Sequence, residues 1–362
     1  MRADPLHELG FYTLAGHTEQ PRDLIQEVHA AEALGLGSVF ISERFNLKDA
    51  ATLSGAVGAV STTLGIATAA TNHTTRHPLV TATMATTMHR LTNGRFALGL
   101  GRGIDLLNGL NGLPQVTMAQ MEDVVGLLRR LWHGEVIMGH DGPAGSYPFL
   151  HQSGAFDEDI PVVMTAMGER TLEFAGRVMD GVVLHTYFTD DTLARSVAAV
   201  RRGAAAVERD PAQVRVWSVL ATVGDHLPED VRLRKTVGRL ATYLQGYGDL
   251  LVRVNEWDPA VLQRFRADDV VASFPGALDA TGTVEVLDHV AGLLPDEWLA
   301  AAATGSPARC AARVLAQFDH GADGVILHGA TPDELAPVVE AYRAIRPPGR
   351  FDALPANPGR TA

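Results

Sequence analysis

The chain has a single cysteine, Cys310, so no disulfide can form within it, and the setting "SPARCAARVLAQF" reads as a helical position where a packed thiol is expected rather than a nucleophile. No apolar run approaches about 18 residues, and no cationic leader precedes an apolar segment at the start. Neither membrane spanning nor secretion is expected, which places the protein in the cytoplasm. Positive charge is short: 30 Lys and Arg stand against 42 Asp and Glu, and the formal charge of −12 disfavours nucleic acid and anionic membrane as partners. The 14 histidines show no HExxH or similar spacing, and His185 and His328 each follow a strand singly, so a metal-dependent hydrolase is disfavoured and no metal ligand is named.

What is present is enough for a large core: 362 residues, 46% of them hydrophobic and 20% charged. Short apolar strands alternate with amphipathic helices along most of the sequence. Eight strands are expected, near residues 11, 41, 67, 98, 163, 184, 219 and 326. Apolar strands each followed by a helical crossover imply a parallel sheet covered on both faces, and the count of eight favours an α/β fold of the (β/α)8 TIM barrel type. An open doubly wound sheet is the alternative, but "AGHTEQP" after the first strand is not its glycine-rich dinucleotide turn. We read residues 1 to 346 as one barrel domain with a loop excursion over 134–160 and a helical insertion between late strands over 228–303. Residues 347–362 read as a loosely ordered Pro-rich tail.

In a barrel, chemistry sits where strands end. Those positions hold "AGHT", "SERFN", "TNHTTRHP", "GRGID", "AMGER", "HTYF" and "HGAT", a concentration of small and polar residues facing a ligand pocket. Each also has a plain structural reading. His77 before Pro78 would brace its loop, Arg102 and Asp105 would form a rim ion pair, and "AMGER" would be an ordinary strand-to-helix turn whose free amides suit an anion.

The stretch "LGIATAATNHTTRHPLVTATMATTMHRLTNGRFALGLGRG", with "AMGERTLEFAGRVMDGVVL" and "GSPARCAARVLAQFDHGADGVIL", resembles the bacterial luciferase-like oxidoreductase superfamily over roughly residues 9 to 345. The resemblance implies a (β/α)8 barrel binding FMN or the deazaflavin coenzyme F420 at the strand ends. It implies a non-prolyl cis peptide between Ala69 and Ala70 behind the ring, Thr71 and Asn72 at the ring's polar edge, and Gly101 thinning the wall beside it. Arg102 and Asp105 would project into the mouth. Ala166, Met167, Gly168 and Glu169 would form the phosphate turn, with Arg170 adding a charged contact.

The sequence departs from the deazaflavin sugar-phosphate dehydrogenases of that superfamily, which carry an Asp-His pair after the second strand. Glu43 and Arg44 stand there, and Ile104 stands where those enzymes have an acid. An arginine cannot act as a base at ordinary pH, so Glu43, with Asp105, is the catalytic candidate. The expected function is an oxidoreductase moving hydride between F420 and a small organic substrate. An FMN-dependent luciferase-like monooxygenase and a catalytically silent deazaflavin- or flavin-binding protein are the alternatives. Arg44, Arg76, Arg102 and Arg170 would form a positive rim for F420's anionic tail. Trp257, Phe265 and Phe274 would line the substrate pocket, and a homodimer is expected.

Overall fold

The computed structural model describes residues 3–15 and 20–361. The described residues form eleven strands: β1 Leu6–Tyr12, β2 Leu36–Ile41, β3 Gly65–Thr68, β4 Phe96–Leu100, β5 Ile137–Gly142, β6 Gly145–Leu150, β7 Val162–Thr165, β8 Gly181–Val183, β9 Arg215–Gly224, β10 Ala303–Gly305 and β11 Gly324–His328. Eight of them are the anticipated parallel strands, each followed along the chain by helix, and the fold is a (β/α)8 barrel. Branched and small apolar residues bury β2, β3, β4, β9 and β11 along their whole lengths, as expected of strands covered on both faces.

The chain divides into two compact units. One comprises Gly37–Val183, Ala199–Val216 and Ala353–Ala362; the other comprises Met1–Leu36, Leu184–Ala198 and Trp217–Asp352. In the first, parallel neighbours run β2–β3–β4–β7–β8, with Ile41 opposite Thr68, Ala67 opposite Ala97, Leu100 opposite Met164 and Thr165 opposite Val183. That register brings the ends of β2, β3, β4 and β7 to one side. In the second, β11 pairs in parallel with both β1 and β9, and β10 pairs with β9. No helix among the described residues is long and apolar enough to cross a membrane.

Three expectations need correction. The excursion read as a loop contains an antiparallel hairpin, β5 with β6, in which Ile137 and Leu150 pair and turn inward. The tail is not loose. Arg215, fully buried at the start of β9, donates to the carbonyls of Pro355, Asn357 and Arg360 at 3.4, 3.0 and 3.0 Å, and Asn357 Nδ2 donates to the carbonyls of Gly94 and Phe96 at 2.7 and 3.0 Å. A buried guanidinium must find acceptors, and the tail backbone supplies them. Within the helical insertion, Trp257 stacks on Trp298 with ring centroids 4.4 Å apart, and Phe265 is fully buried, so both build that segment's own core instead of lining a pocket. Phe274 is half-buried.

Candidate active site

The end of β3 leaves the sheet in a tight bulge. The Ala69–Ala70 peptide is cis. Ala69 N–H donates to the Ile41 carbonyl at 2.7 Å, Glu43 N–H to the Ala70 carbonyl at 3.2 Å, and Thr71 N–H to the Gly99 carbonyl at 3.0 Å, so the bulge is tied to β2 on one side and β4 on the other. The close approach to β4 requires glycine: a Cβ on Gly99 would lie 1.6 Å from the Thr68 carbonyl oxygen. A Cβ on Gly101 would lie 3.1 Å from that of Ala70. Ala69 is buried and Ala70 half-buried, which leaves a wall of small side chains at this strand end.

Beside the wall lies a charged network. Glu43 accepts hydrogen bonds from the Thr71 hydroxyl, from Asn72 Nδ2 at 3.1 Å, and from Arg76 through one guanidinium nitrogen at 2.8 Å and the other at 3.5 Å. Arg76 also pairs with Asp49. Glu43 is only 7% exposed, and both of its oxygens are occupied. Asn72 Oδ1 accepts from the backbone amides of Thr74 and Thr75 at 3.0 and 2.9 Å, which folds the "TNHTTRHP" loop onto itself. His77 Nδ1 accepts from the Leu79 amide at 3.2 Å and so caps the helix Pro78–Leu91. A cavity of about 540 Å³ is lined by Glu43, Asp49, Thr75 and Arg76 together with residues 45–48.

The expected positive rim is therefore reduced. Arg76 is not a free cation but is held between two carboxylates, and ion pairing raises its affinity for its proton further, the Glu43 hydrogen bond being the main cause. Arg102 does not reach the cavity; its Nε donates to the Val116 carbonyl at 2.7 Å and makes no ion pair with Asp105. Asp105 is exposed at the first position of the short helix Asp105–Leu110. Arg44 bridges to Lys48 through backbone hydrogen bonds that close the turn after β2. Arg170 is exposed.

After β7, Ala166 is buried and its N–H donates to the Val183 carbonyl at 3.1 Å. Gly168 then takes a left-handed φ of 85° as the N-cap of Glu169–Val178, no side chain caps this helix, and the space where a Cβ would stand is open. Met167 is half-buried and Glu169 exposed. The chemistry of an uncapped helix start with a bare glycine suits an anion.

The other unit has its own polar group. His185 Nε2 lies 2.8 Å from the Tyr247 hydroxyl and Nδ1 lies 2.8 Å from the Thr186 carbonyl. Sequence reasoning noticed His185 but not Tyr247, whose signal was "GYG" inside a helical segment. Cys310 is buried, its Sγ 3.4 Å from the Ala303 carbonyl, and burial pushes the thiol up to about 11, which fits the packed role expected of it. Of "AGHT" after β1, residues Gly16, His17 and Thr18 lie outside the described residues.

A family model described as luciferase-like monooxygenase matches residues 8–324. The chain belongs to that family. Among curated proteins it is 25% identical over 303 residues to a 5,10-methylenetetrahydromethanopterin reductase of Methanolobus tindarius, covering 82% of this chain and 86% of that one. It is also 25% identical over 342 residues to an F420-dependent glucose-6-phosphate dehydrogenase of Amycolatopsis mediterranei, covering 87% and 90%. Among solved structures, the coenzyme F420 dependent tetrahydromethanopterin reductase of Methanopyrus kandleri superposes with a TM-score of 0.78 at 18% identity, over 95% of this chain and 99% of that one. That likeness carries the barrel fold.

Proposed function

We propose that this family member is an F420-dependent oxidoreductase of the cytoplasm, moving hydride between the coenzyme and a small organic substrate. The observation that carries the reading is the pairing, within one unit, of a wall of small residues with an uncapped helix start: Ala69, Ala70 and Gly101 leave room for a planar ring, and the amides at Gly168 and Glu169 suit a phosphate. When bound, the deazaflavin would supply the hydride chemistry. The chain's own part is placement. Glu43 takes four hydrogen bonds from Thr71, Asn72 and Arg76, so it is a positioning residue that fixes the wall, in place of the acid or base the sequence suggested. Arg170, exposed in the first turn of the helix that Gly168 begins, is the cation that would favour a ligand with a longer anionic tail.

The F420-dependent glucose-6-phosphate dehydrogenase, a relative matched over more than four-fifths of this chain, favours the deazaflavin over FMN. Titration of the purified protein with each cofactor, followed by quenching of its four tryptophans, tests the choice. F420 is expected to bind more tightly, with a preference that shrinks as salt rises. Tighter FMN binding at both low and high salt would move the assignment to a monooxygenase.

The protein is further proposed to be a homodimer. An apolar groove of about 530 Å³ between the helices Ala50–Val60 and Pro78–Leu91 includes Leu79, Met84 and the exposed Val80 and Leu91, a surface a second copy would cover. A monomeric mass in solution would refute this.

A further inference from the structure

In the stretch "TNHTTRHP" after β3 the polar side chains are engaged with partners, with one exception. The Thr71 hydroxyl donates to Glu43 and accepts from Arg76 at 3.0 Å. Asn72 donates to Glu43 at 3.1 Å, and its Oδ1 accepts from the Thr74 and Thr75 hydroxyls at 3.0 and 2.9 Å as well as from their amides. Arg76 is held by Glu43 and Asp49, and His77 caps the helix that follows. His73 takes part in none of these bonds. Its Nδ1 is buried and has no hydrogen-bond partner among the described residues. Burial alone, with no charge or hydrogen bond to offset it, draws the imidazole below the ordinary histidine range, so the ring is neutral at ordinary pH.

This distribution changes which side chain can meet a planar ring. The resemblance puts Thr71 and Asn72 at the ring's polar edge, yet both are committed, and drawing either one away would strip Glu43 of a donor. His73 follows Ala70 by three residues in the same loop, and the wall, the loop and His73 all lie in one compact unit. The loop is pinned on both sides of it, by Asn72 before and by Thr74 and Thr75 after. A buried polar atom without a partner costs a folded protein stability, and binding sites keep such atoms where a ligand supplies the missing bond. A neutral imidazole offers either a lone pair or an N–H at Nδ1. The pyrimidine edge of a deazaflavin or flavin presents carbonyls and an N–H side by side, so it can meet either tautomer.

We infer that His73 is a coenzyme-contact residue, its Nδ1 hydrogen-bonding the pyrimidine edge of the ring that rests on the Ala69–Ala70 wall. Glu43 holds Thr71 and Asn72 as the frame of the loop, and His73 is the group that the frame presents to the ring. The inference rests on the protein binding a deazaflavin or flavin. It goes beyond that reading by naming the side chain that meets the ring edge and by removing Thr71 and Asn72 from that role.

The test titrates the full chain with F420 and with FMN, followed by tryptophan quenching, for wild type, His73→Leu and His73→Asn. Asparagine places an amide close to where Nδ1 stands, and leucine places nothing polar there. With the coenzyme that wild type binds more tightly, His73→Leu is expected to bind about tenfold more weakly and His73→Asn to stay within about threefold of wild type. Without coenzyme, His73→Leu is expected to unfold at the same denaturant concentration as wild type or a higher one, since it removes an unpaired polar atom. In the chain labelled with ¹⁵N-histidine, the His73 signal, assigned by its loss in His73→Asn, is expected to shift when the coenzyme binds. Unchanged affinity in His73→Leu, equal weakening in both variants, a clear loss of stability in His73→Leu, or a His73 signal that ignores the coenzyme would each overturn the inference while leaving the coenzyme reading intact. Failure of wild type to bind either coenzyme would overturn the coenzyme reading itself, and this inference with it.

Discussion

The two polar clusters at strand ends bury hydrogen-bonding groups in opposite ways. Around Glu43, in one unit, the solution is charge: a carboxylate and a guanidinium, 33 residues apart in sequence, are matched to each other and to Thr71, Asn72 and Asp49. Around His185, in the other, the imidazole and the Tyr247 hydroxyl are joined by a hydrogen bond between neutral groups, and a single backbone carbonyl sets its direction. Desolvating charge is costly unless partners saturate it, and saturation leaves little for a ligand to bond. A neutral chain with one fixed end costs less to desolvate. The contrast separates a cluster held by charge from one held by neutral hydrogen bonds.

Breaking the charged cluster has the largest expected effect. Glu43→Ala leaves Arg76 without its most buried partner and removes the acceptor for Thr71 and Asn72, for a loss of about 4 kcal/mol in denaturant unfolding. A loss below about 1 kcal/mol would show that the network contributes as little as a surface ion pair, and the contrast would fail.

The neutral cluster should show itself through pH. The folded His185 takes up its proton only near about 4, whereas an unfolded histidine does so near its ordinary 6.5. Between those values the unfolded chain binds more protons, so acid favours unfolding. His185's contribution is complete above about pH 6.5 and is lost as pH falls toward 4, amounting to about 3 kcal/mol. Unfolding of wild type and His185→Gln compared at pH 7 and pH 4.5 checks this, and wild type is expected to lose more on acidification. Parallel losses would show that the imidazole is solvated in the folded protein.

The same contrast explains what the sequence revealed. Strand ends were legible because burial forces continuous apolar runs such as "FALGLG" and "GVILH", and the polar residues after them stood out. The Ala69–Ala70 bond was named in advance through family resemblance; two alanines alone do not specify it. Pairings across loops were not legible. Glu43 lies next to Arg44 in sequence yet bonds Arg76, because the bulge carries residues 71–76 back over the end of β2. The docked tail left one clue, an arginine at the head of the apolar run "RVWSVL", and a buried cation implies acceptors from elsewhere without saying which. The hairpin over residues 137–150 was hidden by its glycines and Pro143, which look like loop until Ile137 and Leu150 are seen to pair.

The smallest expected effect sharpens the comparison most, because it divides the charged cluster internally. Asp49 faces Arg76 from the outer side with 45% of its side chain exposed, against 7% for Glu43. It also caps the helix Ala50–Val60, accepting from the Thr52 amide at 2.7 Å. Asp49→Asn keeps the cap, since asparagine is an equally good N-cap, and removes only the charge on Arg76. Solvent screens such an exposed partner, so the loss should be about 0.5 kcal/mol and should shrink further at 1 M salt, where the screening length falls to about 3 Å. If the loss instead approached that of Glu43→Ala, Arg76 would depend on both carboxylates equally, and the inner pair could no longer be treated as the element that holds the wall.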